Sequence, residues 1–317
     1  MGKSVVTGCA GFIGSHLCEA LLGRGDEVVG IDNLHWYYGP AEKRRNLDLL
    51  RSHNGFSFRD EDVLDPGSAL AYKGADSVFH MAATPGVRSS VGKGEAYARN
   101  NVVGTQSVLD KATRAGAGRV VMASSSSVYG DVPAPFSESG PTRPISPYGA
   151  TKLATEKMCD AHTVCYPDLP LVSLRFFCVY GPRCRPDLVL SKFARLMREG
   201  RPVPVFGDMD ALSRDYTYID DIVAGILAAE AAACQGHSVY NLGNGEPVSL
   251  REAIWTIADA IGVEPDIDQQ PGNPADARTT HADTSLARDR LGWGATTSYA
   301  EGVAKYVEWL DSPTTPP

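Results

Sequence analysis

Tyr148 and Lys152 stand four residues apart in Pro147-Tyr148-Gly149-Ala150-Thr151-Lys152, a spacing that puts two side chains on one face of a helix. A tyrosine with a pKa of about 10 is a poor base at neutral pH. A lysine ammonium beside it, together with an oxidised nicotinamide, favours the phenolate, which can then take a proton from a hydroxyl group. Ser125 lies in a row of four serines after the apolar run Arg119–Ala123, where its hydroxyl can bridge to the reacting oxygen. Upstream, Thr7-Gly8-Cys9-Ala10-Gly11-Phe12-Ile13-Gly14 spaces three glycines between a strand and a helix. Such a turn lets backbone N–H groups approach a pyrophosphate at the helix N-terminus. Asp32 closes the next strand 24 residues beyond Gly8. Its carboxylate can accept both hydroxyls of an adenosine ribose and would repel a 2′-phosphate, which favours NAD over NADP. Arg44 and Arg45 are read as a solvated helix face. Asp62-Val63, at the end of Arg59-Asp60-Glu61-Asp62-Val63, can hold the adenine amino group.

Positioning these groups takes alternating strands and helices. Ser4–Thr7, Glu27–Ile31, Ser77–Met81, Arg119–Ala123 and Leu171–Phe177 read as strands. Gly14–Gly23, Asn100–Ala115 and Tyr148–Cys165 read as helices, and Ala82–Val91 as a loop. Repeated strand–helix–strand units with short connections imply an α/β fold, a doubly wound parallel Rossmann sheet. Ligands of such sheets bind outside the carboxyl ends of the strands, where Ser125 would stand. After Tyr180 the rhythm is lost. Gly181–Asp187 reads as a loop, helices are expected near Ser191–Glu199 and Leu250–Ile261, Gln269–Arg278 as a Pro/Gly-rich loop, and the tail Ser312–Pro317 as frayed. The expected division is an NAD-binding domain over residues 1–177, to which 214–243 return. Residues 178–213 and 244–317 form a smaller C-terminal α/β cap that binds substrate.

Composition narrows the class. With 317 residues, 43% hydrophobic and 21% charged, the chain is globular and long enough to bury a full core. A net charge of −8 argues against a nucleic-acid surface, which needs clustered Lys and Arg. It leaves room for a small phosphorylated ligand held by one or two local cations. No stretch approaches the ~20 apolar residues of a membrane span. Met1-Gly2-Lys3 runs straight into a strand rather than a secretory signal. The seven cysteines are scattered without a Cys-x-x-Cys pair, so neither a disulfide framework nor a zinc or other metal site is expected, and a cytoplasmic protein with reduced thiols is.

Taken with further segments, these residues carry a resemblance. The segments are Asp32-Asn33-Leu34 with Trp36-Tyr37-Tyr38, His80-Met81-Ala82-Ala83 with Pro85-Gly86-Val87-Arg88, and Ser124-Ser125-Ser126-Ser127-Val128-Tyr129-Gly130. Arg175-Phe176-Phe177-Cys178-Val179-Tyr180-Gly181-Pro182, Arg185-Pro186-Asp187 and Arg214-Asp215-Tyr216-Thr217-Tyr218-Ile219-Asp220-Asp221 complete the set. From Thr7 to about Trp293 the chain resembles an extended short-chain dehydrogenase/reductase, and more narrowly the UDP-glucuronic acid 4-epimerases. The resemblance implies Ser125, Tyr148 and Lys152 as the catalytic trio. It implies NAD held by Gly8, Gly11, Phe12, Ile13, Gly14, Asp32, Asn33, Asp62, Val63 and Asn101, by the backbone of Met81, Ala82 and Ala83, and by Tyr148 and Lys152. It places Arg214 and Arg278 on a UDP diphosphate and Val205 and Phe206 near the uracil; core packing is the other reading of the last two. It further implies a homodimer paired through the helices Asn100–Ala115 and Tyr148–Cys165, whose apolar Val103, Leu109, Leu153 and Met158 could instead be core. Three positions depart from the family pattern: Cys178 replaces Thr, Arg183-Cys184 replace Trp-Gly, and Asn273 stands near a usual acidic residue.

The reaction implied is oxidation of the sugar C4 hydroxyl, turning of the keto sugar, and return of hydride to its other face, with NAD recycled. Relatives that decarboxylate or dehydrate nucleotide sugars carry a glutamate two residues before the Val-Tyr-Gly tyrosine. Here Ser126-Ser127 offer hydroxyls that can donate to a substrate carboxylate but cannot act as carboxylate bases, and Arg185 can add a charged contact. The expected partner is therefore a UDP-sugar, UDP-glucuronate foremost. A neutral-sugar epimerase, a decarboxylase, and an NAD-binding sensor without chemistry remain the other readings.

Overall fold

A computed structural model of the chain describes residues 2–35, 37, 39–272 and 277–312. Trp36, Tyr38, Asn273 and the end of the tail, 313–317, lie outside the described residues. Seven parallel strands form the central sheet: β1 (Lys3–Thr7), β2 (Glu27–Asp32), β3 (Phe56–Asp60), β4 (Ser77–His80), β5 (Arg119–Ser125), β6 (Leu171–Phe176) and β7 (His237–Leu242). Their order is β7-β6-β5-β4-β1-β2-β3, with every neighbouring pair parallel. The order reverses between β1 and β4. That switch point opens a crevice at the strands' carboxyl ends.

Period-two alternation serves both faces. Val5, Val29, Ile31, Val78 and Val120 turn to one side, where they pack on Val108, Leu109 and Ala112 of α3 (Gly104–Ala115). Val6, Val28, Phe79, Val121 and Leu174 turn to the other. There α1 (Phe12–Gly23) supplies Leu17 and Leu21, and α5 (Ile219–Ala231) supplies Ile222 and Ile226. Two further helices complete the layers: α2 (Pro40–Arg51) after β2 and α4 (Pro147–Cys165) before β6. The doubly wound Rossmann architecture expected from sequence is the one observed.

Differences lie at the ends of elements. The helix expected from Asn100 begins earlier, at Gly94, and passes through a π-helical turn at Ala98–Val103 before α3. Within the expected loop Ala82–Val91, Val87–Ser90 makes a helical turn. Gln269 and Gln270, expected in a loop, end a strand, Ile267–Gln270, paired in parallel with Val203–Phe206. The solvated helix face expected at Arg44 and Arg45 belongs to α2, whose composition is polar: both arginines are exposed, and the helix turns Lys43, Asn46, Leu47 and Leu50 inward.

Beyond β6 the chain builds the cap from helices Val189–Arg198, Leu250–Ile261 and Tyr299–Asp311, which pack on one another. Buried tyrosines pack at its base, the Tyr299 ring centroid lying 4.7 Å from that of Tyr216 in the segment expected to return to the sheet domain and 5.2 Å from that of Tyr180 within the cap. Among the described residues no helix is long and apolar enough to cross a membrane.

Candidate active site

Where the sheet order reverses, the glycine turn is packed backbone on backbone. Gly8 has φ +72°, and a Cβ there would sit 2.7 Å from the Ala82 nitrogen. A Cβ on Gly14 would lie 2.1 Å from the Gly8 oxygen. Gly11 caps α1 without a side-chain hydrogen bond, and the first turn carries no acid. The free N–H groups and the positive end of the helix dipole therefore face the crevice. This cradle fits the pyrophosphate of a dinucleotide.

Asp32 is 6% exposed. Oδ1 accepts from the Leu34 amide at 2.8 Å and from Lys43 Nζ at 2.9 Å, and Oδ2 from the Ala10 amide at 3.2 Å. A carboxylate offers about four acceptor sites, so one on Oδ2 is left for a ribose hydroxyl. Of the three consecutive basic residues Lys43, Arg44 and Arg45, Lys43 is the one that α2 turns inward. Beside Asp32, the Asn33 amide donates to Asp62 Oδ2 at 2.8 Å. Val63, Met81, Ala82 and Ala83 line the same crevice with Gly8, Gly11, Phe12, Ile13 and Gly14.

Asn101 is turned into the protein. It is 1% exposed; its Oδ1 accepts from the Thr84 amide at 2.7 Å, and its Nδ2 donates to the Thr84 carbonyl and to Thr151 Oγ1 at 3.1 and 3.0 Å. With its amide spent on tying the loop after β4 to α4, Asn101 does not line the crevice, whereas Asn100 does.

The chemistry-bearing residues converge on a chamber of 370 Å³. Strand alternation sends Ser124 to the α4 side, where it donates to Glu156 Oε1 at 2.5 Å, and Ser125 to the chamber. Glu156 also makes a buried ion pair with Arg175 of β6 at 2.8 Å, so two strands grip α4. Ser146 N-caps α4, accepting from the Gly149 amide at 3.1 Å. A Cβ on Gly149 would lie 2.4 Å from the Ser127 oxygen, and that glycine lets the first helical turn abut the serines. Tyr148 is thus brought to the chamber beside the Ser125 hydroxyl, which eases its ionisation. Ser125 also donates to Ser127 Oγ and accepts from the Ser127 amide, both at 3.2 Å.

Electrostatics departs from the sequence expectation. Burial pushes the Tyr148 phenol up, opposed by the Ser125 hydroxyl and by the Arg185 cation. Lys152 donates to the Ala123 carbonyl at 2.7 Å, and burial lowers its pKa to about 8. The cation that Tyr148 feels in this arrangement is Arg185, because the Lys152 ammonium is turned to the strand end.

A second chamber of 920 Å³ adjoins the first. Arg185 lines both, bound to Asp187 through Nε at 2.9 Å and Nη2 at 3.0 Å. Phe206 lines the larger, with the Arg88 guanidinium 4.6 Å from its ring centroid. Arg214 lines it too, donating to the Ser213 and Arg278 carbonyls at 2.7 and 3.0 Å. Two of the expected residues do not line this chamber. Val205 is 0% exposed and belongs to the core, since its strand alternates and turns Pro204 and Phe206 to the cavity instead. Arg278 contributes its carbonyl, and its side chain is exposed rather than lining the chamber. Arg88, Tyr37 and Lys192, which the chemistry reading passed over, do line it; the signal for Arg88 was a cation in the loop following a strand's carboxyl end. Of the departing positions, Cys178 lines the smaller chamber. Arg183 adopts φ +62° and pairs with Glu19 of α1, and Cys184 Sγ lies 2.6 Å from Ser191 Oγ.

Residues 4–243 match the family described as the NAD dependent epimerase/dehydratase family. The chain is 38% identical to an uncharacterized UDP-glucose epimerase of Bacillus subtilis, over 98% of each chain. It is 34% identical to a UDP-glucuronate 4-epimerase of Thermodesulfobacterium geofontis, over 98% of this chain and 96% of the relative. Among solved structures it superposes with a TM-score of 0.93 and 36% identity on the UDP-glucuronic acid 4-epimerase from Bacillus cereus in complex with UDP-glucuronic acid and NAD, covering 97% of this chain and 98% of that one.

Proposed function

The chain belongs to the NAD dependent epimerase/dehydratase family, and from that premise we propose that it inverts C4 of UDP-glucuronic acid to give UDP-galacturonic acid. The observation that carries the choice of substrate is one wall of the small chamber. Ser126, Ser127 and Arg185 stand there beside Ser125 and Tyr148, donors for a carboxylate next to the reacting carbon.

Gly8, Gly11, Gly14 and the start of α1 would hold the pyrophosphate of NAD, and Asp32 its adenosine ribose; the cofactor would supply reversible hydride transfer at C4. Tyr148 takes the C4 hydroxyl proton and later gives it back, with Ser125 donating to the same oxygen and Arg185 supplying positive charge, while the Lys152 ammonium, bonded to the Ala123 carbonyl, serves NAD. Arg214 and Arg88 serve the diphosphate end and Phe206 the uracil. We divide the chain accordingly: residues 1–177 with 214–243 for NAD, 178–213 and 244–317 for the UDP-sugar. The pairing of β7 with β6 supports the return of 214–243 to the first domain.

Incubation with UDP-glucuronate and chromatographic identification of the product is the decisive assay. UDP-galacturonate supports the proposal. A UDP-pentose with carbon dioxide, or turnover confined to UDP-glucose, overturns it. The protein as purified should carry NAD, detectable by mass spectrometry after denaturation.

A pH effect follows from Lys152. Its ammonium is required, so turnover should fall as pH rises through about 8, where the buried amine loses its proton. A rate profile flat to well above that pH would remove Lys152 from this role.

All seven cysteines are free thiols, which supports a reducing, cytoplasmic setting. The homodimer stays part of this reading on narrower ground. Leu109 proves to be core, 0% exposed, whereas Val103 is 54% and Val164 82% exposed. Light scattering at micromolar concentration should give twice the monomer mass; a monomer mass would refute the pairing.

A further inference from the structure

Tyr37, in the connection between β2 and α2, has no task in the scheme above, yet it lines both chambers. Its hydroxyl lies 2.8 Å from Ser89 Oγ, which is also 2.9 Å from the Tyr97 hydroxyl and donates to the Gly86 carbonyl at 3.3 Å. Tyr97 in turn donates to the Pro85 carbonyl at 2.7 Å. The receiving loop is shaped around this hydroxyl. Gly86 has φ +102°, and a Cβ there would come 2.3 Å from the Tyr37 oxygen and 2.2 Å from Ser89 Oγ. Only glycine tolerates both that backbone and that approach. On its open face the Tyr37 ring meets Arg185, whose guanidinium carbon is 5.7 Å from the ring centroid, within cation–π reach. The same network ends at the base, with the Tyr97 ring edge-on to Tyr148 at 6.3 Å. Burial pushes the Tyr37 phenol up to about 12, so at neutral pH it is a neutral group.

We propose that Tyr37, seated in the Gly86–Ser89 socket, is a positioning residue that holds Arg185 against the reacting sugar and closes the wall between the two chambers. The inference rests on the reading of this site as a UDP-glucuronate epimerase. Its consequence is retention. In a productive cycle C4 loses a hydride to NAD and a proton to Tyr148, and both return before the sugar leaves. With the socket broken, some keto sugar leaves two hydrogens short and the reduced cofactor stays behind, so the balance closes on the NAD already bound.

The variants are Tyr37→Phe, which keeps the ring but loses the anchor, Tyr37→Ala, which loses both, and Gly86→Ala, which fills the socket while leaving Tyr37 in place. One neutral hydrogen bond corresponds to about 2–10-fold in affinity. Tyr37→Phe and Gly86→Ala should weaken UDP-glucuronate binding, read by calorimetry, by that factor, and Tyr37→Ala by more. KM should rise more than kcat falls. Near-ultraviolet absorbance of reduced nicotinamide should build up during turnover, with keto sugar in the ultrafiltrate by mass spectrometry. Far-ultraviolet circular dichroism and the thermal unfolding midpoint serve as the fold control and should be unchanged. Wild-type affinity in both Tyr37→Phe and Gly86→Ala overturns the proposal; should Gly86→Ala not fold, Tyr37→Phe alone decides it. If the wild type itself fails to convert UDP-glucuronate, the functional reading is what has failed, and the calorimetric comparison still decides the role of Tyr37.

Discussion

Tyr148→Phe is expected to lower turnover of UDP-glucuronate by about 10²–10⁴-fold, the usual worth of a positioned acid–base group, while the affinities for NAD and UDP-sugar stay near wild type. The ring's place is set by elements the hydroxyl does not touch. The Tyr148 amide donates to Ser90 Oγ at 3.1 Å, and α4 is held to the sheet through Glu156 and Arg175. Deleting the hydroxyl therefore removes the path of the proton and little else. The measurement is a steady-state rate beside calorimetric titrations of both ligands. A variant that keeps a near-wild-type rate would move the base elsewhere in the chamber, and one that loses UDP-sugar binding would make Tyr148 a structural group.

The carboxylate grip carries the second large effect. Oxidation at C4 of a glucuronate makes a β-keto acid. Its carbon dioxide departs when the bond to the carboxyl carbon stands roughly perpendicular to the carbonyl plane and overlaps its π system. A grip by Ser126, Ser127 and Arg185 that keeps this bond near the plane suppresses the loss without special chemistry. Arg185→Ala should weaken UDP-glucuronate binding by about 1.5–3 kcal/mol, roughly 10–150-fold, and divert part of the turnover to carbon dioxide and a keto pentose. Asp187, bound to Arg185 through both its oxygens and itself half exposed at 44%, would then face the substrate carboxylate with its charge uncompensated. Arg185→Lys separates the two effects, since it keeps the charge but loses the planar fork, and it should fall between. The Ser126→Ala/Ser127→Ala pair should leak carbon dioxide with a smaller loss of affinity. Unchanged affinity and product ratio in both the Arg185→Ala protein and the serine pair would sink the carboxylate site.

Much of this site is legible in the sequence because its parts are local. A strand, a glycine turn and a helix follow one another within residues 3–23, so the spacing of Gly8, Gly11 and Gly14 already determines a phosphate cradle. Tyr148 and Lys152 share a helical face by periodicity alone, and Asp32 and Ser125 fall at strand ends, where open α/β sheets place their ligands. What only the tertiary structure decided is which neighbour each side chain meets. Periodicity does not tell which of Asn100 and Asn101 turns into the crevice, or that Phe206 rather than Val205 faces the cavity. Lys43 comes to Asp32 because α2 docks with that side inward. Tyr37 finds its socket at Gly86 because the loops after β2 and β4 meet over the switch point. Protonation is decided at the same level. Desolvation depends on everything packed around a group, and so burial, which no spacing encodes, raises the Tyr148 phenol and lowers the Lys152 amine.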